Sequence, residues 1–339
     1  MRTARIDIVG EGHFEGELGK NLLREALRKG LGFPYDCNSG GCGTCQFELV
    51  EGDVADSWED APGLSARARS RGRRLACQSK ISGDCTLKVR LKPEFVPLKS
   101  PTVRSVRLEG RQEFTRDMVE YTFRCDGEAD FLPGQYALLR LPGVVGDRAY
   151  SMSNRPNPEG LWRFIVKRVP GGRGTAVLAE NLRIGDSIEL DGPYGMAHLR
   201  PDAPRDIVCI GGGSGLSPLK SICAAAVREP QLQGRRIRLF YGARTPSDLC
   251  LDQAFDGDPL LRDRVEIIPV VSDSASDSAW HGERGFVHDA LRRWLEKAGN
   301  AKDHEYYFCG PPQMTDAVRG LLQLDLRVPA TQLHSDRFA

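Results

Sequence analysis

The chain has 339 residues, with 47 Lys+Arg against 46 Asp+Glu, a formal net charge of +1 and 40% hydrophobic residues. So even a balance gives no global field to draw in nucleic acid or an anionic membrane, and the length suffices for two or three domains. No stretch offers the roughly 18 consecutive apolar residues of a membrane span. The opening Met1-Arg2-Thr3-Ala4-Arg5-Ile6-Asp7 carries no apolar secretion region. The expectation is therefore a cytoplasmic, monomeric protein without nucleic-acid or membrane partners, its 10 cysteines held reduced.

In chain order, Ile6 and Ile8 alternate with polar residues as in a strand, and Leu18, Leu22, Leu23, Ala26 and Leu27 recur at helical spacing up to Gly30. Next comes Cys37-Asn38-Ser39-Gly40-Gly41-Cys42-Gly43-Thr44-Cys45, with Cys77 after thirty-one intervening residues. This Cys-x4-Cys-x2-Cys…Cys spacing is that of a plant-type [2Fe–2S] cluster. Gly40, Gly41 and Gly43 suit it, because a loop without Cβ atoms can take positive φ and turn its amides toward anionic sulfides. Structural zinc is the competing reading, but zinc sites usually come as two separated Cys-x2-Cys pairs and here there is one. Residues 46–50 and 85–91 read as strands. Between them lie six acids from Glu48 to Asp60 and five arginines from Arg67 to Arg74, either a solvated face or a docking rim for a redox partner. Cys85, Cys125, Cys209, Cys223 and Cys250 fall within apolar patterns and read as small core residues.

Residues 33–50, together with Glu51-Gly52-Asp53-Val54 and Leu75-Ala76-Cys77-Gln78, resemble the plant-type ferredoxin domains fused to bacterial oxygenase reductases. The likeness continues along nearly the whole chain. Residues 92–101 hold three prolines in ten and suit a semi-rigid connector, taken as 94–101. Short β-like runs at 103–108, 118–124, 135–141, 162–169 and 187–190 then read as an antiparallel barrel. Arg148-Ala149-Tyr150-Ser151 resembles the Arg-x-Tyr-Ser signature of the ferredoxin–NADP reductase superfamily. The resemblance implies that Arg148 pairs with a flavin pyrophosphate, Tyr150 packs on the isoalloxazine and Ser151 lies near its N5. It also implies that Ile165, Val166 and Lys167 lie beside the flavin. Gly171-Gly172-Arg173-Gly174-Thr175 leads into an expected helix at 175–182, a second phosphate-binding signal in which Gly172, Gly174 and Thr175 match the family. FAD is the expected flavin, FMN the remaining alternative.

From Asp206 the pattern turns α/β. The apolar strand 207–210 runs into Gly211-Gly212-Gly213-Ser214-Gly215-Leu216-Ser217-Pro218, then a helix at 218–228. Leu216 stands where the dinucleotide fingerprint has its last glycine, but the turn matches that of the reductase superfamily. Strand 237–241 ends at Gly242-Ala243-Arg244, so Tyr241, Gly242 and Arg244 join the expected nicotinamide site. Helices are expected at 285–298 and 312–322. Cys309-Gly310-Pro311-Pro312-Gln313-Met314 resembles the family's Cys-Gly-Pro-Pro-x-Met, which implies that Cys309, Gly310 and Pro311 meet the nicotinamide ring. Phe338 is the candidate for the C-terminal aromatic that shields the flavin face in related reductases.

The expected whole is an α+β multidomain chain: a β-grasp-like [2Fe–2S] domain (1–93), a linker (94–101), an antiparallel β-barrel FAD domain (102–200) and a doubly wound α/β NAD(P)H domain (201–339). A nicotinamide gives up two electrons as hydride, a [2Fe–2S] cluster accepts one, and a flavin takes two and releases them singly. Hydride transfer is therefore expected near Ser151, Cys309 and Phe338, with NADH favoured over NADPH. Single electrons would then pass to the cluster at Cys37, Cys42, Cys45 and Cys77. The resemblance is to reductase components of toluene- and phenol-type monooxygenases, which implies an oxygenase component or a Rieske-type ferredoxin as partner. A Rieske dioxygenase reductase, or a donor to a non-oxygenase acceptor such as a deoxysugar dehydratase, shares the architecture.

Overall fold

The computed structural model describes residues 2–273 and 279–337, folded around three sheets. The first sheet has five strands in the order β2-β1-β5-β3-β4. They are β1 (Thr3–Ile8), β2 (Gly12–Glu17), β3 (Gln46–Asp56), β4 (Arg73–Leu75) and β5 (Ser79–Lys88). β1 and β5 run parallel and the other pairs antiparallel. One helix, Leu22–Arg28, packs Leu22, Leu23, Ala26 and Leu27 on the sheet. It starts later than the periodicity suggested. Asn21 takes the cap, its side chain accepting from Arg24 N at 3.1 Å, and Leu18 instead continues the strand pairing through Arg2. β3 runs past the expected residue 50 to Asp56, its register shifting between Leu49 and Glu51 and again between Gly52 and Val54. The strand expected at 85–91 is the second half of β5.

The second sheet is the barrel: β6 (Thr102–Glu113), β7 (Met118–Arg124), β8 (Tyr136–Arg140), β9 (Arg148–Ser151), β10 (Leu161–Lys167) and β11 (Ser187–Tyr194), ordered β10-β7-β6-β11-β8-β9. Every pairing is antiparallel. The Met152–Phe164 bridge joins the ends and nearly closes the ring. Its interior holds Phe123, Leu139, Trp162, Phe164 and Leu190, all fully buried. The helix expected at 175–182 starts earlier, as Arg173–Ala176, and widens into a π-type turn over Val177–Asn181, burying Leu178.

The third sheet is wholly parallel: β12 (Asp206–Gly212), β13 (Ile237–Ala243), β14 (Val265–Val271), β15 (Glu283–Arg284), β16 (His304–Gly310) and β17 (Leu333–Arg337), ordered β15-β14-β13-β12-β16-β17. Two apolar layers cover its faces. The three longer helices are Leu216–Ala226, Val287–Ala298 and Pro312–Arg319. The second begins after Phe286, and the third passes into a wide turn over Gly320–Asp325. β17 is a strand that the polar sequence 333–337 does not announce. It sets Asp336 opposite Cys309. Phe338 lies outside the described residues. No helix among the described residues is long and apolar enough to cross a membrane. Cys85, Cys125, Cys209, Cys223 and Cys250 are buried and free, as expected of core residues.

Candidate functional site

A cavity of about 1930 Å³ runs between the first sheet and the barrel and reaches the third sheet. All ten residues assigned to the flavin line it: Arg148, Ala149, Tyr150, Ser151, Ile165, Val166, Lys167, Gly172, Gly174 and Thr175. They come from β9, β10, and Gly172 with the helical turn Arg173–Ala176 that follows it. The guanidinium of Arg148 donates to the carbonyls of Val145, Gly146 and Asp147 at 3.1–3.2 Å. A Cβ on Gly174 would sit 3.1 Å from Arg148 Cγ and 3.3 Å from the Tyr150 hydroxyl, so glycine there keeps both side chains in place. Burial pushes the Tyr150 phenol up to about 12, so it stays neutral. Thr175 Oγ1 donates to Gly172 O at 3.1 Å and closes the turn.

Cys37 and Cys77 line the same cavity. The four cysteine thiols sit in two hydrogen-bonded pairs, Cys37 with Cys42 and Cys45 with Cys77. Hydrogen bonds from Cys42 and Ser39 hold the Cys37 thiol low, and Cys45 and Gln78 do the same for Cys77. Backbone amides of Ser39 and Cys42 approach Cys37 Sγ at 3.5 and 3.4 Å, and Thr44 N approaches Cys42 Sγ at 3.5 Å. Gly40 and Gly43 take φ of 91° and 77°, as expected, whereas Gly41 does not and Asn38 does, at 51°. Among the described residues no group of three or more His, Cys, Asp or Glu is gathered tightly enough to hold a single metal ion. Two thiol pairs ringed by amides suit a two-iron cluster better than a tetrahedral ion.

The wall between these sites is aromatic. Tyr136 lines the cavity, and its hydroxyl donates to Asp36 O, next to Cys37, at 2.6 Å. Gly195 N donates to the Tyr35 hydroxyl at 3.1 Å. Two polar groups in the cavity wall are buried without partners: both atoms of the Asn38 amide and both oxygens of Asp336. Burial, with Asp36 nearby, pushes the Asp336 carboxyl well above its ordinary range. Such orphaned groups fit a site that a bound cofactor completes.

At the third sheet, Gly211, Gly212, Gly213 and Gly215 bend the C-terminal end of β12 beneath β16. Cys309 is buried, and its thiol donates to Asp336 O at 3.5 Å. Gly310 and Gly242 lie against Gly212 and Gly211 respectively, and Pro311 is exposed at the turn. Tyr241 is buried beneath the glycine turn, its hydroxyl donating to Gly213 O at 3.0 Å. Arg244 is exposed, while Asp248 is engaged by Thr245 at 2.9 and 3.1 Å.

Sequence reasoning missed the seam between barrel and third sheet. Ser217, Lys220 and Ser221 share one helix face. Ser217 Oγ donates to Ser151 O at 2.6 Å and accepts from Ile165 N at 3.1 Å. Lys220 pairs with buried Glu120 at 2.8 Å, and Ser221 donates to Asn154 O at 2.6 Å. The Ser-Pro of the glycine turn was the available signal for Ser217.

Three family descriptions match in series: a 2Fe-2S iron-sulfur cluster binding domain over 6–82, an oxidoreductase FAD-binding domain over 105–199 and an oxidoreductase NAD-binding domain over 209–320. A ferredoxin–NAD(P)+ reductase of Metapseudomonas resinovorans is 43% identical, the alignment covering 94% of this chain and 95% of the relative. The chain belongs to the ferredoxin–NAD(P)+ reductases of oxygenase systems. The electron transfer component of a Pseudomonas putida xylene/toluene monooxygenase is 34% identical over 98% of this chain and 93% of its own length. The solved ferredoxin reductase in carbazole 1,9a-dioxygenase superposes with a TM-score of 0.91 at 38% identity, covering 100% and 99% of the two chains. As a member of this reductase family the chain is an oxidoreductase with FAD, NAD and [2Fe–2S] domains, and it transfers electrons drawn from NADH. The resemblance read from the cysteine loop and the Arg-x-Tyr-Ser strand is borne out.

Proposed function

We propose that this chain feeds electrons singly into an aromatic-ring oxygenase, handing them to the oxygenase component or to its Rieske-type ferredoxin. The observation that carries the reading is the one cavity lined by Arg148 to Thr175 on one side and by Cys37 and Cys77 on the other. A flavin there supplies the exchange between hydride and single-electron chemistry. In this reading the fork of Arg148 grips its phosphates, Tyr150 packs on its ring and Ser151 marks the hydride-accepting edge. The turn 211–215, with Gly242, Cys309, Gly310 and Pro311, seats the nicotinamide, while Tyr241 supports that turn from below. Arg244 lies open at the edge of this site, and Phe338 remains our candidate for the shielding aromatic. Cys37, Cys42, Cys45 and Cys77 hold the cluster. The reading takes 1–93, 94–101, 102–200 and 201–339 as its domain limits, and a monomer in the cytoplasm that binds neither nucleic acid nor membrane. The 0.91 superposition on a carbazole dioxygenase reductase favours a Rieske dioxygenase as the system served, while the 34% identical xylene/toluene relative supports a monooxygenase.

Steady-state turnover with NADH and NADPH, followed by capture of the acceptor, tests the reading. A Cys42→Ser variant should keep NADH–ferricyanide activity and lose one-electron reduction of cytochrome c. Cytochrome c reduction at the full rate refutes the order of carriers.

A further inference from the structure

The helix Leu22–Arg28 meets the barrel through charge. Arg24 Nη1 donates to the Asp147 carboxylate and lies 3.6 Å from Asp191 Oδ2. One turn on, Arg28 binds Asp191 at 2.6 Å and Glu25 at 2.9 Å. Arg140, on β8, reaches Asp147 at 3.2 Å. The side chains of Arg24, Asp147 and Asp191 are each only 11% exposed. Charges so far out of water are weakly screened, and removing one partner of such a pair leaves the other uncompensated.

The place of Asp147 in the chain gives the pair its meaning. The next residue is Arg148, whose guanidinium is held by the carbonyls of Val145, Gly146 and Asp147. One short turn between β8 and β9 therefore offers, on consecutive residues, a carboxylate to the iron–sulfur domain and a guanidinium to the flavin cavity. The other attachment of that domain is neutral, through Tyr136 to Asp36 and Gly195 to Tyr35 beside the cluster loop. Tyr136 and Tyr194 also share that domain's apolar core, so the neutral patch seats the domain, and the charged patch on the helix adds a directional contact that sets its orientation.

We propose that Arg24 and Asp147 are positioning residues for electron passage from flavin to cluster: their ion pair ties the iron–sulfur domain to the turn whose next residue grips the flavin. The proposal rests on the flavin assignment of Arg148 made above. The test uses the full chain loaded with FAD and cluster, reduced anaerobically by NADH in a stopped-flow instrument, with flavin and cluster bleaching followed as separate phases. In Arg24→Gln, flavin bleaching stays within about twofold of the parent while cluster bleaching slows about tenfold, a part of the roughly 100-fold that a full 1 Å misplacement can cost. Asp147→Asn slows the cluster phase similarly. The double variant is no slower than the worse single one, as two halves of one contact require. The dithionite-reduced cluster keeps its parental EPR spectrum in each, which separates misplacement from misfolding. A parental cluster phase in Arg24→Gln overturns the proposal, as does a double variant slowed by the product of the single effects. If NADH fails to bleach the cluster in the parent protein, the flavin-to-cluster reading falls with it.

Discussion

Replacing Gly215 with alanine isolates the closest approach in the nicotinamide turn. A Cβ at this position would lie 2.0 Å from the carbonyl oxygen of Cys309, 2.5 Å from its carbon and 2.9 Å from Gly310 Cα. All three are backbone atoms of β16 and the turn beyond it, so no side chain can swing aside. To reach the 3.4 Å of ordinary contact, turn and strand must part by about 1.4 Å. Overpacking of this kind costs about 1–3 kcal/mol of stability. The larger effect falls on geometry, because Cys309 is itself assigned to the nicotinamide site. A displacement near 1 Å can cost about 100-fold in rate, or about 2.7 kcal/mol of barrier. NADH-dependent ferricyanide reduction, which does not need the cluster, should show kcat/KM lowered by about that factor. Gly213→Ala is the control. Its φ of 56° strains any other residue, but its Cβ would meet nothing nearer than Lys167 Cδ at 3.6 Å, so it should lose only the roughly 1–2 kcal/mol of a left-handed conformation. A Gly215→Ala protein within threefold of the parent, or one less impaired than Gly213→Ala, refutes the reasoning.

Two further outcomes follow from buried polar groups. Ser217→Ala strips the Ile165 amide of its partner and Ser151 O of its donor. The orphaned groups cost about 1–3 kcal/mol and loosen β9 and β10 together, so the flavin-to-protein ratio after gel filtration should fall; an unchanged ratio and melting point would count against this seam. His198 is buried, and burial, then the Arg200 charge, hold it down to about 4. Its folded value lies below the unfolded one near 6.5, so its contribution is complete above pH 6.5 and is lost as pH falls from about 6.5 to about 4, up to about 3 kcal/mol. His198→Asn should flatten the stability profile in that window, and parallel profiles from urea titrations at pH 5 and 7 would refute the assignment.

What was legible beforehand is what local pattern encodes. The cysteine spacing, the alternation of the barrel strands and the apolar run before the glycine turn each carry their structure within a few residues. β17 was not legible because Leu333-His334-Ser335-Asp336-Arg337 is polar and lacks strand propensity; it forms because β16 offers it a parallel edge. Leu18 fitted the helical period, yet Asn21 could cap the helix and Leu18 could not. Arg24 and Arg28 look like ordinary charges on a helix surface, and only the fold brings Asp147 and Asp191, more than 100 residues later, against them. Ser217, Lys220 and Ser221 escaped for the same reason. Asn38 took the positive φ expected of Gly41, since asparagine tolerates that region.

Tyr136 and Tyr194 belong to the barrel by sequence, yet they pack in the same apolar core as Phe33, Phe47 and Leu87 of the first sheet. Tyr35 meets Tyr194 edge-on at 6.3 Å, and Phe95, just beyond the first sheet, leans on Tyr35 at 6.2 Å. Modular as the chain looks on paper, these two units are not interchangeable cassettes. Cutting between them would uncover a tyrosine-lined face on each half, an invitation to aggregate, and grafting this iron–sulfur unit onto a different flavoprotein would require carrying both tyrosines along. The Ser217 seam is no easier to cut: beside its hydrogen bonds and the Lys220–Glu120 pair, Phe114, Met118 and Ile165 of the barrel pack into the core of the third sheet, so an electron-transfer chimera joined there would have to carry those side chains as well.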